Sequence, residues 1–202
     1  TTAVPSGQEL YEQVRDMKNT AMGLDSWRLW ELKALPLALW ELRHTVEALA
    51  DELGTLPTSY SHVSTPMLPK GEGREAIDHR GLTLFSGLYR VLSGAWWTQL
   101  KPWQDGWRHP DLHGGIPGRD IVGLAWQAQG DIEKPQCAEK PICGTLLDYV
   151  KFFDHFDIGF VTHLMVEMGY PHKRASQLRA LDAGIHRYVK IGDNYGTAMT
   201  DC

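Results

Sequence analysis

Two carboxylates with a lysine between them, Asp148 and Asp154 around Lys151, are the residues whose types and spacing are best suited to chemistry. They directly follow an apolar run. Mg²⁺ prefers carboxylate and phosphate oxygens as ligands, so metal binding is one kind of chemistry open to a carboxylate such as Asp148. The structural alternative is that Asp148 ends a strand and Asp154 caps the helix after it, a common pairing in proteins. The two residues alone leave both alternatives open.

The sequence contains no pattern typical of other metal sites or of a catalytic nucleophile. The three cysteines, Cys137, Cys143 and Cys202, lack the C-x-x-C spacing of structural zinc sites. Histidine pairs such as His109 and His113 have no third ligand at metal spacing. The odd number of cysteines argues against a disulfide framework and indicates a reducing, intracellular setting. Without a Walker loop, a dinucleotide fingerprint or a Gly-x-Ser-x-Gly elbow, nucleotide-switch and hydrolase functions have no support.

Length and charge limit which kinds of protein could position these residues. A chain of 202 residues with 43% hydrophobic content can bury one sizeable core, which predicts one domain or a large part of one. The net charge of -5 argues against a chain whose whole surface binds nucleic acid, although a local basic groove is compatible with it. No apolar run approaches the roughly 20 residues that a spanning helix needs, so a soluble protein is expected.

The elements upstream of Asp148 are predicted to be mostly helical. Ser6 and Glu9 have capping-box spacing, and apolar residues then recur at helical intervals through the first fifty residues. A proline-spaced extended segment leads to Lys70, a polar turn follows, and 83–100 has the pattern of a buried helix. The prolines and glycines of 101–117 predict a long loop before another helix.

The elements around and after Asp148 are predicted to be a strand, two helices and a last strand. The apolar run 142–148 suits a short buried strand, 156–169 and 172–184 have helical patterns, and 186–192 alternates as a strand does. The order of helices, extended hairpin, helices, strand, helices, strand predicts an α+β fold.

Four segments together resemble a known family. The segment 146–156 is similar to the first metal-binding motif of reverse transcriptases of the non-LTR retrotransposon and group II intron branch, roughly D-x-x-K-x-F-D at the end of a strand. Upstream and in the same order, 23–36 resembles the family's G-x-D-G-W segment, 67–91 its fingers hairpin, and 114–120 its glycine-rich segment. The resemblance covers nearly the whole chain.

The resemblance implies a fold and a function. The fold would be the helix-rich fingers and a partial palm of a right-hand polymerase, incomplete at the C-terminus, with 1–140 as the helical segment and fingers, a hairpin near 63–85, and 141–202 as the first part of the palm. The activity of the intact family is template-directed nucleotidyl transfer, with an RNA template, a DNA primer and deoxynucleoside triphosphates as partners. Two Mg²⁺ ions activate the primer hydroxyl and stabilise the leaving pyrophosphate.

The resemblance also implies roles for individual residues. Asp148 would be the catalytic metal ligand, assisted by the backbone carbonyl of Tyr149, and Phe153 would be the aromatic gate under the incoming sugar. Lys70 and Arg80 would hold the triphosphate, because a guanidinium grips phosphate oxygens bidentately and an ammonium acts as a mobile point charge.

Two further positions of the motif would have supporting roles, and two depart from the family. Lys151 would contact nucleic acid or pair with a carboxylate, and Asp154 would orient local backbone or a basic neighbour. Ser26 stands where the family usually has glycine. Gly81 stands where it has proline, which is expected to loosen the backbone beside Arg80 because glycine does not restrict φ as proline does.

The family's later motifs bear on activity. Its P-Q-G segment and Y-x-D-D hairpin do not occur within these 202 residues, so the chain by itself is expected not to polymerise DNA. The alternative function is a polymerase-derived, non-catalytic structural or interaction subunit, whose unfinished sheet edge and apolar face would be covered by protein partners of a larger assembly.

Overall fold

The computed structural model describes residues 2–72, 75, 78–148 and 156–200. The chain divides into two compact units. The first comprises Thr1–Trp103 together with Asp157–Cys202, and the second comprises Gln104–Phe156. The first unit contains the sheet and most of the buried residues.

Three helices form the N-terminal part of the first unit: α1 (Gly7–Asp16), α2 (Leu29–Ala34) and α3 (Leu37–Glu52). The predicted capping box at the start of α1 is confirmed. The Ser6 hydroxyl accepts a hydrogen bond from Glu9 N at 3.2 Å, and the Glu9 carboxylate accepts one from Ser6 N at 2.7 Å. Two backbone donors at the helix start are therefore satisfied by side chains.

The main core of the first unit is apolar and mostly helical. A short 3₁₀ helix, Thr58–Tyr60, adds a buried tyrosine to it. The buried members of this core are Leu10, Val14, Leu29, Leu32, Trp40, Tyr60, Tyr89, Val91, Leu92, Ala95, Trp96 and Leu181. The members in α1, Leu10 and Val14, are four residues apart and those in α2, Leu29 and Leu32, are three apart, so each of these helices presents one apolar face to the core.

A four-stranded mixed sheet completes the first unit. Its strands are β1 (His62–Pro69), β2 (His79–Gly81), β3 (His186–Ile191) and β4 (Asn194–Thr200), in the order β2-β1-β3-β4. β1 pairs antiparallel with β2 and parallel with β3, and β3 pairs antiparallel with β4. The predicted last strand is confirmed as β3, whereas β4 was not predicted.

Helix α4 (Gly87–Trp107) is longer than the sequence predicted. The loop expected from Pro102 begins only after Trp107, so its predicted start was wrong. Proline inside a helix removes one backbone hydrogen bond, but the half-buried Trp103 just beyond it makes contacts that oppose that loss. Trp103 packs against Tyr170 with ring centroids 5.2 Å apart, and its indole N–H donates to Met168 O at 2.7 Å.

The second unit contains one long helix, α5 (Ile121–Cys137), where a helix was predicted. No described residue of α5 is buried. The buried strand predicted for 142–148 was wrong, because 141–148 form no regular structure and are all exposed. A strand needs a paired neighbour to satisfy its backbone, and the described sheet pairs only the four strands of the first unit.

Two further helices return to the first unit, α6 (Ile158–Glu167) and α7 (His172–Ala183), both close to the predicted ranges. α7 is tied to the end of α3 by charge. Asp51 accepts a hydrogen bond from Lys173 Nζ at 2.7 Å and pairs with the buried Arg174 guanidinium. This network links segments more than a hundred residues apart in the sequence.

The mixture of helices and a mixed sheet confirms the α+β class. Among the described helices, none combines the length and the apolar character that crossing a membrane requires. The division into fingers and palm at 140/141 stays a prediction.

Candidate functional site

The β1–β2 hairpin brings two predicted phosphate-binding residues together. Leu68 is paired with Arg80, and the pairing continues past the end of β1, where Lys70 N donates to Asp78 O at 2.7 Å. Side chains two residues apart on a strand point to the same face, so Lys70 lies on the face of Leu68 and hence of Arg80. The two cations are diagonal neighbours, roughly 7–8 Å apart at the backbone, and both are exposed.

Described hydrogen bonds connect Glu75 to the residues just before Arg80. Glu75 N donates to the Asp78 carboxylate at 3.0 Å, and Asp78 N donates to Glu75 O at 3.0 Å. The His79 ring nitrogen Nδ1 lies 2.9 Å from Glu75 O. These bonds hold the backbone of Asp78 and the side chain of His79, just before Arg80.

Gly81 is held more firmly than its residue type suggested. It is paired with Met67 across the hairpin, so the ladder restrains the backbone beside Arg80. A Cβ at this position would lie 3.1 Å from Thr65 Cγ2, which is a tight contact with a neighbouring strand. The loosening expected from the missing proline is therefore opposed by strand pairing.

Two segments that resemble the family separately, 23–36 and 67–91, touch each other. The Asp25 carboxylate accepts a hydrogen bond from Gly87 N at 2.7 Å, at the first residue of α4. A Cβ on Gly23 would lie 2.5 Å from Phe85 O, so only glycine allows this close approach. Ser26 lies between Asp25 and the start of α2. Its φ of 56° is in the left-handed region that favours glycine.

Asp148, the predicted metal ligand, belongs to a different unit from Lys70 and Arg80. It lies in the second unit, has an exposed side chain and follows two leucines that are 101% and 77% exposed, Leu146 and Leu147. Tyr149, Lys151, Phe153 and Asp154 lie outside the described residues. Within the described part of the chain, no group of three or more His, Cys, Asp or Glu side chains could hold a metal ion.

A cavity of about 650 Å³ in the first unit was not predicted. It lies beside the segment 19–30, where Arg28 and Trp30 line it, and it is also lined by Lys190 and Tyr195 from β3 and β4. One wall of the cavity, the β3–β4 hairpin, could have been predicted from the Gly192-Asp193 pair after β3. A two-residue turn of this type predicts a hairpin, and therefore a strand at β4.

The sequence matches neither a protein-family model nor a curated protein.

Proposed function

We propose that this chain contains the fingers and the first part of the palm of an RNA-directed DNA polymerase, with a β1–β2 hairpin that binds the triphosphate of the incoming nucleotide. The observation that carries the proposal is the placement of Lys70 and Arg80 on one face of the hairpin. Two cations about 7–8 Å apart can contact different phosphate groups of one triphosphate. The pairing of β1 with β2 reduces the freedom that the hairpin would lose on binding.

The backbone at Ser26 supports the same proposal. The family that the sequence resembles usually has glycine there, and the φ of 56° is one that glycine adopts without steric cost. The neighbouring Asp25 joins that segment to the start of α4. Glycine, which the family usually has at this position, is therefore the residue that the local backbone favours. This supports the proposal that the two segments share the family's arrangement.

The proposal assigns nucleotide binding, rather than metal chemistry, to the described residues. Mg²⁺ would stabilise charge on the phosphates and activate the primer hydroxyl in the intact family. Asp148 would supply one carboxylate ligand, but a single exposed carboxylate does not form a site, and the described residues contain no group of three ligands. RNA template and DNA primer would be the macromolecular partners.

The hairpin can be tested with a fluorescent deoxynucleoside triphosphate, by measuring its anisotropy on titration with the chain. Lys70→Glu and Arg80→Glu should each weaken binding about tenfold, because reversing one exposed charge beside a phosphate changes the Coulomb energy by about 1–2 kcal/mol. Lys101→Glu, an equal change of charge at an exposed position of α4, is the matched control and should bind as the parent chain does.

A second ligand shows whether the phosphates are the feature recognised. The corresponding monophosphate should bind more weakly than the triphosphate to the parent chain and should be little affected by either hairpin variant. Equal binding of triphosphate to the parent chain and to both hairpin variants would rule out the hairpin as the binding site.

An exposed stripe on α3 favours the second candidate function, a non-catalytic structural subunit. Large apolar side chains recur along this stripe at intervals of three and four residues, which is the spacing found where two helices pack together. They are Leu39, Leu42, Val46 and Leu49 within α3 and Leu53 just after its end, each between 44% and 70% exposed. Trp40 and Glu47, which are buried, occupy the opposite face of the helix.

A second copy of this chain is the occupant that the stripe fits, because its own α3 supplies the same spacing. The 16-residue helix offers a seam of only about 24 Å. A seam of one helix of this length covers only part of a standard interface of about 800 Å² per partner, so a weak dimer is expected. Sedimentation equilibrium tests this dimer: the double variant Leu42→Lys/Leu49→Lys should be monomeric. The control variant Leu124→Lys, on α5, should dimerise as the parent chain does. A parent chain that is monomeric at all concentrations would contradict dimerisation through α3.

A further inference from the structure

Two histidines lie side by side where β1 and β3 run parallel. His62 is paired with His186 in the register of the two strands, and their ring centroids are 4.9 Å apart with 13° between the ring planes. The ladder continues beyond this pair, because His186 N donates a hydrogen bond to Ser61 O at 2.8 Å. Strand pairing therefore holds the two imidazoles next to each other, and neither ring belongs to a loop.

A tyrosine orients the first of these rings. Tyr188 comes two residues after His186, so its side chain is on the same face of β3. Its hydroxyl oxygen lies 3.1 Å from Nδ1 of His62, which is 126 residues away in the sequence. A metal-binding histidine usually has one ring nitrogen hydrogen-bonded in this way, which fixes the ring and leaves the other nitrogen for the ion. The nitrogen left for an ion is Nε2 of His62.

The spacing of the rings allows them to share one ion. Imidazole nitrogens bind Zn²⁺ at about 2.0–2.1 Å, so two of them on one tetrahedral ion lie about 3.3 Å apart. The ring centroids, at 4.9 Å, are farther apart than this. Rotation of His186 about its Cβ–Cγ bond brings one of its nitrogens toward Nε2 of His62, and this torsion has broad energy minima. Both side chains are half-buried, so an ion can reach them from solvent.

The donor atoms determine which kind of ion fits. Imidazole nitrogens suit first-row transition metals such as Ni²⁺, Cu²⁺ and Zn²⁺, whereas Mg²⁺ prefers oxygen ligands. Among the residues that the structure describes, no third His, Cys, Asp or Glu joins this pair, so water would complete the coordination. The pair therefore differs in chemistry from the magnesium site that a polymerase needs.

We propose that His62 and His186 bind one divalent transition-metal ion that links β1 to β3, with Tyr188 as the positioning residue for His62. β1 and β3 are the two central strands of the described sheet. An ion that binds only when these strands are paired stabilises the folded chain by mass action. His62 lies outside the part of β1 that pairs with β2, so the site stands whether or not the hairpin binds nucleotides.

The test is isothermal titration calorimetry of the whole chain with NiCl₂, after its three cysteines have been alkylated so that thiolates do not bind the ion. His62→Gln and His186→Gln should each weaken Ni²⁺ binding at least about tenfold, because losing only a supporting hydrogen bond already costs about 10–100-fold. Tyr188→Phe, which removes such a bond, should weaken binding about tenfold. The double variant of both histidines should bind little worse than either single variant, because one histidine alone cannot chelate the ion.

Two controls separate this pair from other histidines and from other ions. His44 is also half-buried, with its Nδ1 2.8 Å from Pro5 O, so His44→Gln is the matched variant and should bind Ni²⁺ as the parent chain does. An excess of MgCl₂ should not displace Ni²⁺, because imidazole is a poor ligand for Mg²⁺. Circular dichroism identifies any variant that fails to fold.

Thermal unfolding of the parent chain provides a second measurement that needs no variant. At a NiCl₂ concentration of about 100 times Kd, the Tm should rise by about 5–10 °C. The proposal is overturned if the Tm does not rise, or if folded His62→Gln and His186→Gln both bind Ni²⁺ as the parent chain does. It is also overturned if the two single losses add in the double variant, because each histidine would then bind an ion of its own.

Discussion

Replacing Asp51 with asparagine tests the charge network that joins α3 to α7. The Asp51 side chain is 17% exposed and its partner Arg174 only 4% exposed. Burial disfavours the charged carboxylate, but the hydrogen bond from Lys173 and the charge of Arg174 outweigh it, and the pKa of Asp51 is lowered. Gln177 Nε2 also donates to this carboxylate, at 3.1 Å.

The size of the effect follows from what Asp51→Asn leaves behind. Asparagine keeps the shape of the side chain but leaves the Arg174 guanidinium buried without its counter-charge. Breaking a buried ion pair in this way costs about 3–5 kcal/mol, and the partial exposure of Asp51 reduces the expected loss at pH 7 to about 2–3 kcal/mol. That is a large fraction of the stability of a typical domain, about 5–15 kcal/mol.

The direction in which the contribution of Asp51 to the free energy of unfolding changes with pH follows from its pKa. Because the pKa of Asp51 is lower in the folded than in the unfolded chain, its contribution is complete above the unfolded pKa and is lost as pH falls through the folded one. The difference in unfolding free energy between the parent chain and Asp51→Asn should therefore shrink below about pH 4.

Urea unfolding followed by circular dichroism at pH 7 and at about pH 3 measures both quantities. Asp16→Asn, which removes a carboxylate from the exposed end of α1, is the control and should change stability by less than about 0.5 kcal/mol. If Asp51→Asn is as stable as the parent at pH 7, or if the difference between them is the same at both pH values, the network does not stabilise the fold as argued.

Three further substitutions have expected outcomes in the same urea assay. Asp25→Ala removes the hydrogen bond to Gly87 N at the start of α4 and should cost about 1–2 kcal/mol; no change would mean that this contact contributes nothing. Ser26→Gly relieves a φ of 56° and should be neutral or stabilising by up to about 1 kcal/mol, and a loss of stability would show that the residue is not strained. Pro102→Ala restores a helix hydrogen bond inside α4 and, after the entropy that proline removes from the unfolded chain, should stabilise by about 1–2 kcal/mol; destabilisation would contradict the helical assignment there.

Local sequence signals predicted individual helices and strands of this fold better than they predicted which segments pair or pack together. The alternation of 186–192 was sufficient to predict β3, and the spacing of Ser6 and Glu9 was sufficient to predict the start of α1. The Gly192-Asp193 pair contained the signal for β4, because Gly192 adopts a φ of 60° in the turn that joins the two strands.

Errors arose where tertiary contacts outweighed a local rule. Pro102 indicates a helix end, but the packing of Trp103 on Tyr170 extends α4 through it. The apolar run 142–148 satisfies the pattern of a buried strand, yet a strand also needs a neighbour, and sequence periodicity contains no information about which segment that is. The contact between Asp25 and Gly87, 62 residues apart, could not have been predicted from either segment alone.

The distribution of the candidate residues affects how the function should be tested. Lys70, Arg80 and the cavity residues lie in the first unit, where paired strands fix their backbone, whereas Asp148 lies in an exposed segment of the second unit. Binding needs only that cations and rings are held in place, but metal catalysis needs several ligands converging on one point. The proposed nucleotide binding by the hairpin can therefore be measured without assuming that this chain catalyses any reaction.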